Sequence, residues 1–161
     1  MHLILIRHAD AGDRDPARWP DDTLRPITDK GRRRHRRVAR RLRRRGLTPT
    51  LLLSSPWLRA AQTAELTAEY VGGPAPHFVP ALATTPSLAD LGGAIGPQSP
   101  EAIVALVGHE PWLGELASLV LTGDANRLRV DLPKSGVIGI DCDSLEAGAA
   151  ALTFLWRPKG G

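Results

Sequence analysis

The fold of this chain is decided by residues 3–10, which read LILIRHAD. An unbroken run of four aliphatic residues is typical of a strand buried on both faces, at the centre of an α/β sheet. Arg7, His8 and Asp10 follow at the carboxyl end of this strand, where open α/β sheets bind their ligands. Taken alone, the stretch is equally consistent with a ligand site and with the start of a solvated loop.

Further apolar runs alternate with helical patterns, and this alternation predicts the fold class. Beyond the first strand we predict strands at 51–53, 77–80, 103–107, 137–141 and 151–156, and helices at 29–45, 57–71 and 112–121. Residues 81–100 are predicted to be a loop with at most a short helix around 87–95. This order predicts an α/β protein built as a three-layer α/β/α sandwich, with a mostly parallel sheet and an antiparallel edge. We expect residues 1–161 to form one domain with a frayed tail at 157–161.

The positive charge of the chain is concentrated in one predicted helix. The window Lys30–Arg45 holds eleven of the 21 Lys and Arg residues, and outside it 17 acidic residues outnumber ten basic ones. Such a helix either docks an acidic protein or nucleic acid, or is a solvated face. We favour the solvated face, in which His35 is solvated too. We expect no nucleic-acid partner, because no aromatic residues are interleaved with the arginines.

The remaining composition argues against membrane, secreted and zinc-binding proteins. No apolar run is long enough to span a membrane, and the N-terminal region lacks the basic segment and cleavage site of a signal peptide. The single cysteine, Cys142, cannot form an internal disulfide, which agrees with a cytoplasmic location. No Cys and His residues have the spacing of a zinc site.

Polar residues at the ends of three predicted strands are expected to meet at one edge of the sheet. The first strand ends at Arg7 and His8. The second leads to Ser55 and, one helical turn later, Arg59, and another ends at His109. Two arginines and two histidines repel one another unless an anion lies among them. The positive N-terminus of the helix that follows the second strand favours the same ligand, so we predict a phosphoryl group there.

These residue types also predict a reaction. An arginine guanidinium matches two phosphate oxygens at once. A histidine near its usual pKa of about 6.5 is largely neutral in the cytoplasm, so His8 is a candidate nucleophile. Phosphoryl transfer to a histidine is therefore the predicted chemistry.

Four segments of the chain resemble the histidine phosphatase superfamily. They are residues 6–9 (IRHA), 25–28 (RPIT), 54–63 (SSPWLRAAQT) and 107–113 (VGHEPWL). The first is similar to the family's Arg-His-Gly signature, with Ala9 in place of the usual glycine. The segments occur in the family's order and spacing, and they are most similar to the small phosphohistidine phosphatases typified by bacterial SixA. The resemblance implies the phosphoglycerate mutase-like fold.

The resemblance implies a role for each matching residue. His8 would attack phosphorus in line and carry a phosphohistidine intermediate. Arg7, Arg59 and His109 would bind the phosphoryl oxygens and stabilise the transition state. Water would then hydrolyse the intermediate, and no metal or organic cofactor is implied.

Other residues of these segments are ambiguous. Ser55 could bind phosphate, but a turn or cap role is equally consistent with its position. Arg25 is expected near the mouth of the site and is a candidate substrate-binding residue. Thr28 is expected to cap a helix, and Trp57 and Trp112 are expected to be packing residues.

One departure from the family concerns the general acid. Many members place a glutamate shortly after the third strand, where this chain has Ala81. Without an acid, an alkoxide is hard to expel, whereas the N–P bond of phosphohistidine is intrinsically labile. Asp10, Asp13, Asp15 or Glu110 could replace the missing acid.

We therefore predict a phosphatase that acts on phosphohistidine in proteins. The alternative is a phosphatase for small phosphoesters or nucleotide phosphates that uses the same site. A phosphate-binding module without activity is a third hypothesis, which the intact His8 argues against. A nucleic-acid binder led by the Lys30–Arg45 helix is the fourth. The expected partners are a phosphohistidine-bearing protein or a small phosphorylated substrate, and no membrane.

Overall fold

The computed structural model describes residues 1–158, and residues 159–161, the end of the tail predicted to fray, lie outside them. The strands are β1 (His2–Arg7), β2 (Leu51–Ser54), β3 (His77–Phe78), β4 (Ile103–Gly108), β5 (Val137–Cys142) and β6 (Ala150–Trp156). The helices are α1 (Asp29–Arg44), α2 (Leu58–Val71), α3 (Leu88–Ile95) and α4 (Trp112–Thr122). Short 3₁₀ helices cover Asp22–Leu24 and Pro80–Ala83.

The strands form one sheet with the order β3-β2-β4-β1-β5-β6. The neighbours from β3 to β1 are parallel, whereas β5 runs antiparallel to both β1 and β6. The predicted mostly parallel sheet with an antiparallel edge is confirmed. Arg7 is paired with Gly108, and Ser54 with Val107. The carboxyl ends of β1, β2 and β4 therefore lie side by side.

Strand β1 is buried on both faces, as its aliphatic run predicts. Ile4 and Ile6 pack with residues of α1 and α2, whereas Leu3 and Leu5 pack with residues of α3 and α4. All four side chains are 0% exposed. Burying each one contributes about 1.5–3 kcal/mol, so the position of the strand end is fixed from both sides.

Helix α1 starts and ends where its sequence predicts. The Thr28 Oγ1 accepts a hydrogen bond from the Gly31 amide at 3.0 Å, and Asp29 lies in the first turn. The helix gives way to Gly46, which has a φ of 70°. Gly31 is required by close packing, because a Cβ there would lie 2.2 Å from the Asp10 carbonyl oxygen.

The prediction that His35 is solvated is wrong, because its side chain is 0% exposed. It shares the buried face of α1 with Gly31, Val38 and Leu42. Both nitrogens of the ring lie within hydrogen-bond distance of a hydroxyl. Nδ1 is 3.2 Å from the Ser135 Oγ, and Nε2 is 2.9 Å from the Thr67 Oγ1. Desolvation lowers the pKa of His35 to about 4, so the buried ring is neutral at pH 7.

Among residues 1–158, no helix combines the length and the apolar character that crossing a membrane requires.

Candidate active site

The structure brings together the polar residues that follow β1, β2 and β4. The ring centroids of His8 and His109 are 5.2 Å apart, and that of Trp57 lies 4.7 Å from His109. His8, Arg59 and His109 are each less than 10% exposed. Arg7 lies at the end of β1, and its charge acts on both histidines. Five groups from three chain segments therefore line one largely buried, positively charged site.

His8 is held in a defined orientation by backbone atoms. Its amide donates to the Gly108 carbonyl at 2.9 Å, and its Nδ1 lies 2.7 Å from the Ala9 carbonyl oxygen. A carbonyl only accepts hydrogen bonds, so Nδ1 carries the proton and Nε2 keeps its lone pair. Burial, with the charges of His109, Arg59 and Arg7, lowers the pKa of His8 to about 3. His8 is therefore a neutral imidazole with one nitrogen free to act as a nucleophile.

His109 is held by Ser55, at the end of the neighbouring strand. Its Nε2 lies 2.9 Å from the Ser55 Oγ, which also accepts a hydrogen bond from the Trp57 amide at 3.3 Å. Burial and the charges of Arg59 and Arg7 lower the pKa of His109 to about 3. Its Nδ1 is buried and has no partner among the described residues. When the Ser55 hydroxyl donates to Nε2, Nδ1 carries the proton and is a donor for a phosphoryl oxygen.

Arg7 is positioned by the loop that precedes β5. One guanidinium nitrogen, Nη1, donates to the Leu132 carbonyl at 2.6 Å, and the Ser135 amide donates to the carbonyls of Arg7 and His8. Ser135 makes this contact with a φ of 60°, a left-handed conformation that few side chains favour. Glu110 accepts from the Leu132 amide at 3.2 Å and so fixes the same loop. Sequence reasoning missed Ser135, because its contact crosses more than 100 positions.

Arg59 is positioned by Asp22, an acidic residue that no sequence motif marks. Its Nη1 donates to the Asp22 carbonyl at 2.8 Å, and its Nη2 lies 3.3 Å from the Asp22 carboxylate. The guanidinium also stacks on the Trp57 ring at 4.5 Å. The Nε of Arg59 is buried without a partner among the described residues. The hydrogen bond from Arg25 lowers the pKa of Asp22, with Arg59 adding to the effect, so Asp22 is a carboxylate.

Arg25, the other predicted substrate-binding residue, is turned into the loop that follows β1. Its Nη1 donates to the carbonyls of Ala11 at 3.1 Å and Gly12 at 2.7 Å, and its Nε donates to Asp22 at 2.8 Å. These contacts hold the loop and place the Asp22 carboxylate on Arg59. Substrate binding by Arg25 stays a prediction, and its described contacts instead support a positioning role.

The family follows from a comparison with known proteins. The model for the histidine phosphatase superfamily (branch 1) matches residues 3–84, about half of the chain. The chain belongs to the histidine phosphatase superfamily. An uncharacterised protein of Picosynechococcus sp. is 39% identical over 154 residues, which cover 94% of this chain and 88% of that protein. The resemblance carried by the four sequence segments is therefore confirmed.

Solved structures of histidine phosphatases share the fold. The protein histidine phosphatase SixA complexed with tungstate has a TM-score of 0.78 at 23% identity, covering 98% of this chain and 97% of that one. The putative phosphohistidine phosphatase SixA of Agrobacterium tumefaciens has a TM-score of 0.76 at 23% identity, with coverages of 98% and 97%. Mycobacterial glucosyl-3-phosphoglycerate phosphatase has a TM-score of 0.66 at 16% identity, with coverages of 98% and 99%. The predicted phosphoglycerate mutase-like fold is confirmed, and it carries enzymes named for different phosphorylated substrates.

Ala9 fits the superfamily signature without the usual glycine. Its φ is not positive, and its side chain is 0% exposed in a small cluster with Ile27 and Leu66. Its amide donates to the Thr63 Oγ1 at 2.9 Å, and its carbonyl holds the His8 ring. The methyl group therefore adds packing and leaves both backbone contacts in place.

The candidate general acids differ in how readily they hold a proton. Burial alone raises the pKa of Asp10, but Lys134, 2.8 Å away, and further hydrogen bonds lower it overall. Asp13 and Asp15 are exposed in the loop. Burial raises the pKa of Glu110, against the hydrogen bonds from the Gly114 and Leu132 amides and the charge of Arg7. The pKa of Glu110 thus moves in the direction that an acid needs, whereas that of Asp10 moves in the opposite direction.

The described residues offer no site for a metal ion. Within residues 1–158, no group of three or more His, Cys, Asp or Glu side chains is arranged to hold one. The donors at the candidate site are guanidinium and imidazole groups, which suit an anion.

Proposed function

We propose that this superfamily member hydrolyses phosphohistidine in proteins through a covalent intermediate on His8. The state of His8 carries the proposal: the ring is buried and neutral, Nδ1 is bound to the Ala9 carbonyl, and Nε2 keeps its lone pair. The cationic groups around it attract a phosphoryl group, and a neutral imidazole attacks such a group readily. Membership of the superfamily supports a phosphatase.

The reaction has two displacement steps at phosphorus. First, the Nε2 lone pair of His8 bonds to phosphorus while the N–P bond of the substrate breaks, and the substrate imidazole leaves and takes up a proton. Water then attacks phosphorus, the bond to Nε2 breaks, and its electron pair returns to the ring. Inorganic phosphate leaves, and the proton lost by the attacking water is released to solvent or phosphate.

Negative charge on the phosphoryl oxygens is the feature that the site is suited to stabilise. Charge spreads over the equatorial oxygens as the bonds to phosphorus change. Arg7 and Arg59, each contributing about 1.5–3 kcal/mol through charged hydrogen bonds, would together supply roughly 3–6 kcal/mol. The Nδ1 of His109 is a further donor. Only the part of this energy that appears in the transition state accelerates the reaction.

Ala81 supports phosphohistidine as the substrate. It lies in the 3₁₀ helix Pro80–Ala83, which contains no carboxylate. An ester substrate needs a proton donor for its alkoxide leaving group, whereas an imidazole leaves with less help. SixA, whose structure shares the fold, is named as a protein histidine phosphatase.

A second candidate function is hydrolysis of small phosphoesters at the same site. Glu110 favours it, because it follows His109 directly and burial raises its pKa. Both Glu110 oxygens accept backbone hydrogen bonds, from Leu132 and Gly114, so acting as an acid would require it to exchange a partner. The named activity of the mycobacterial neighbour belongs to this class.

A substrate panel scored by kcat/KM separates these functions. Phosphohistidine protein, free phosphohistidine, an aryl phosphate, sugar phosphates and nucleotides would be compared with wild-type enzyme and Glu110→Gln. We expect phosphohistidine to be the best substrate and to be little affected by Glu110→Gln. Sugar phosphates that outpace phosphohistidine, with a loss in Glu110→Gln, would contradict the proposal and support the ester function.

We also propose a cytoplasmic location, supported by the single cysteine. Cys142 is buried and has no second cysteine with which to form an internal disulfide. Fractionation of cells that produce the protein tests this location, and recovery outside the cytoplasm would contradict it.

A further inference from the structure

One surface of α1 carries basic side chains that no described acid neutralises. Lys30, Arg33, Arg34 and Arg37, here called the basic face, line a cleft of about 200 Å³. Lys30, Arg33 and Arg37 are exposed, and Arg34 is half-buried. Within residues 1–158, no carboxylate lies within 4.0 Å of any of these four groups.

Folding does not account for the basic face. The helix is anchored by its opposite side, through buried residues such as Val38, Ala39 and Leu42. Like charges three or four positions apart repel one another, and positive charge in the first half of a helix opposes the helix dipole. Only Arg34 makes a described hydrogen bond, to the Pro158 carbonyl. The other three side chains make no described hydrogen bond or ion pair, and repulsion between their charges opposes folding.

Three other arginines of α1 differ from the basic face, because they pack on aromatic rings. Arg36 and Arg40 lie over Tyr70, with centroid distances of 5.5 and 5.0 Å, and Arg41 lies over Trp156 at 4.1 Å. Their stems therefore have a structural role. Unlike Arg36, Arg40 and Arg41, the residues of the basic face lie over no described aromatic ring.

The basic face begins beside the candidate active site. The Thr28 amide, at the start of α1, donates to the Asp10 carbonyl at 2.8 Å, and Gly31 packs against the same carbonyl. Asp10 lies two residues after His8 and is paired with Lys134. At about 1.5 Å per residue, the eight positions from Lys30 to Arg37 extend about 12 Å along the first half of α1, away from the candidate site.

In place of the solvated face favoured from the sequence, we propose that the basic face docks an acidic protein that carries the phosphohistidine, an inference that rests on the proposed function. The groups of the candidate site are suited to a phosphoryl group, so recognition of the rest of a protein substrate requires surface outside the site. A row of unneutralised cations beside the site attracts an acidic surface and aligns it before transfer.

An acidic protein fits this surface better than a nucleic acid does. Proteins that bind single strands offer aromatic rings on which bases stack. Next to α1, the rings of Tyr70 and Trp156 are already covered by arginines of the helix. An internal phosphodiester also offers no terminal phosphoryl group for transfer to His8.

Kinetics with charge-reversal variants test the proposal. The substrates are an acidic and a basic phosphohistidine protein of similar size, and free phosphohistidine. The test variant is Arg33→Glu/Arg37→Glu. The matched control is Arg127→Glu/Arg129→Glu, which changes the net charge equally at exposed positions outside the helix. Binding of mixed-sequence duplex DNA is measured for all forms at two salt concentrations.

We expect the test variant to raise KM for the acidic protein at least about tenfold at low salt, with kcat and the kcat/KM for free phosphohistidine within twofold of wild type. The control should change KM for the acidic protein less than threefold. High salt should reduce the difference in KM between the test variant and wild type. Wild type should prefer the acidic protein to the basic one.

Other outcomes overturn the docking proposal in distinguishable ways. An unchanged KM in the test variant, or an equal change in the control, overturns docking and leaves the proposed function intact. Loss of DNA binding with unchanged protein kinetics assigns the face to nucleic acid instead. Wild type that hydrolyses no form of phosphohistidine contradicts the proposed function, and docking of such a substrate with it.

Discussion

Two regions of this molecule bring arginines close together, and they differ in burial and in the partners of those arginines. In the candidate active site, Arg59, His8 and His109 are buried, and each is held by a carbonyl or a hydroxyl. On the basic face, Lys30 and its neighbours face solvent with no acidic partner among the described residues. Charge in the first region acts at short range in a low dielectric, whereas salt and water screen the second. Burial, not charge count, separates a site for chemistry from a surface for attraction.

The largest expected effect comes from His8→Ala. Removal of a nucleophile lowers kcat by about 10⁴-fold or more, because binding groups alone leave little catalysis. The variant should also form no phosphoenzyme that is labile in acid and stable in alkali. Rapid quench with labelled phosphohistidine protein measures both. A variant that keeps full turnover would show that the buried site is not where the chemistry occurs.

Arg59→Gln is expected to lower kcat/KM by about 10²–10³-fold, because it removes charged donors from the transition state. The matched control is Arg25→Gln, since Arg25 shares Asp22 with Arg59 but gives its other hydrogen bonds to the loop. We expect the control to lower kcat/KM less than about tenfold. Equal losses would instead support Arg25 as a substrate-binding residue.

His35→Leu compares the two sides of α1 by stability. It leaves the Ser135 hydroxyl without its described partner and removes one partner of Thr67, which costs about 1–3 kcal/mol in the free energy of unfolding. Arg37→Ala, on the exposed side, should change it by less than about 0.5 kcal/mol. Urea unfolding measures both. A larger loss in Arg37→Ala would show that the basic face is structural.

The buried histidines are expected to make stability fall in mild acid. The pKa of His35 is about 4 in the folded chain, against 6.5 for the free side chain, so the unfolded state binds the extra proton between these values. The free energy of unfolding is therefore highest above pH 6.5 and declines toward pH 4. His35→Gln should reduce the slope by up to about 1.4 kcal/mol per pH unit. An unchanged slope in urea titrations from pH 4.5 to 7 would contradict the neutral state.

Arg37→Glu should have the smallest effect on the free energy of unfolding, and it should raise this free energy, whereas most substitutions lower it. A glutamate there lies four positions from both Arg33 and Arg41, so repulsion becomes attraction, worth about 0.2–0.5 kcal/mol for each pair. We expect a slightly higher free energy of unfolding in low salt. A clear loss would mean that Arg37 has a packing role that its exposure conceals.

Much of the fold could be predicted because its determinants are local. The aliphatic run before Arg7 identifies a buried strand, and Thr28 and Gly46 mark the limits of α1. The prediction for His35 is wrong, because its arginine neighbours indicate a solvent-exposed side chain. Its spacing from Val38 and Leu42 instead puts it on the buried face of the helix. The helical period was the better guide.

The site could be predicted only in part, for a related reason. His8, Arg59 and His109 each follow a strand or start a helix, so their meeting follows from topology. Ser135 and Asp22 contact that group across long sequence separations that no motif marks. The roles of the site residues and the protein substrate stay predictions with the tests given above, and the extent of a single domain over 1–161 also stays a prediction.

Ala9 shows what the third position of the Arg-His-Gly signature supplies in this chain. What the position supplies here is a carbonyl for the His8 ring and an amide N–H for Thr63, and any residue except proline supplies both in this conformation. Its methyl group fits because Ile27 and Leu66 leave room for it. In this chain the space beside Ile27 and Leu66 therefore decides which side chain position 9 can carry, while the backbone alone makes the two contacts.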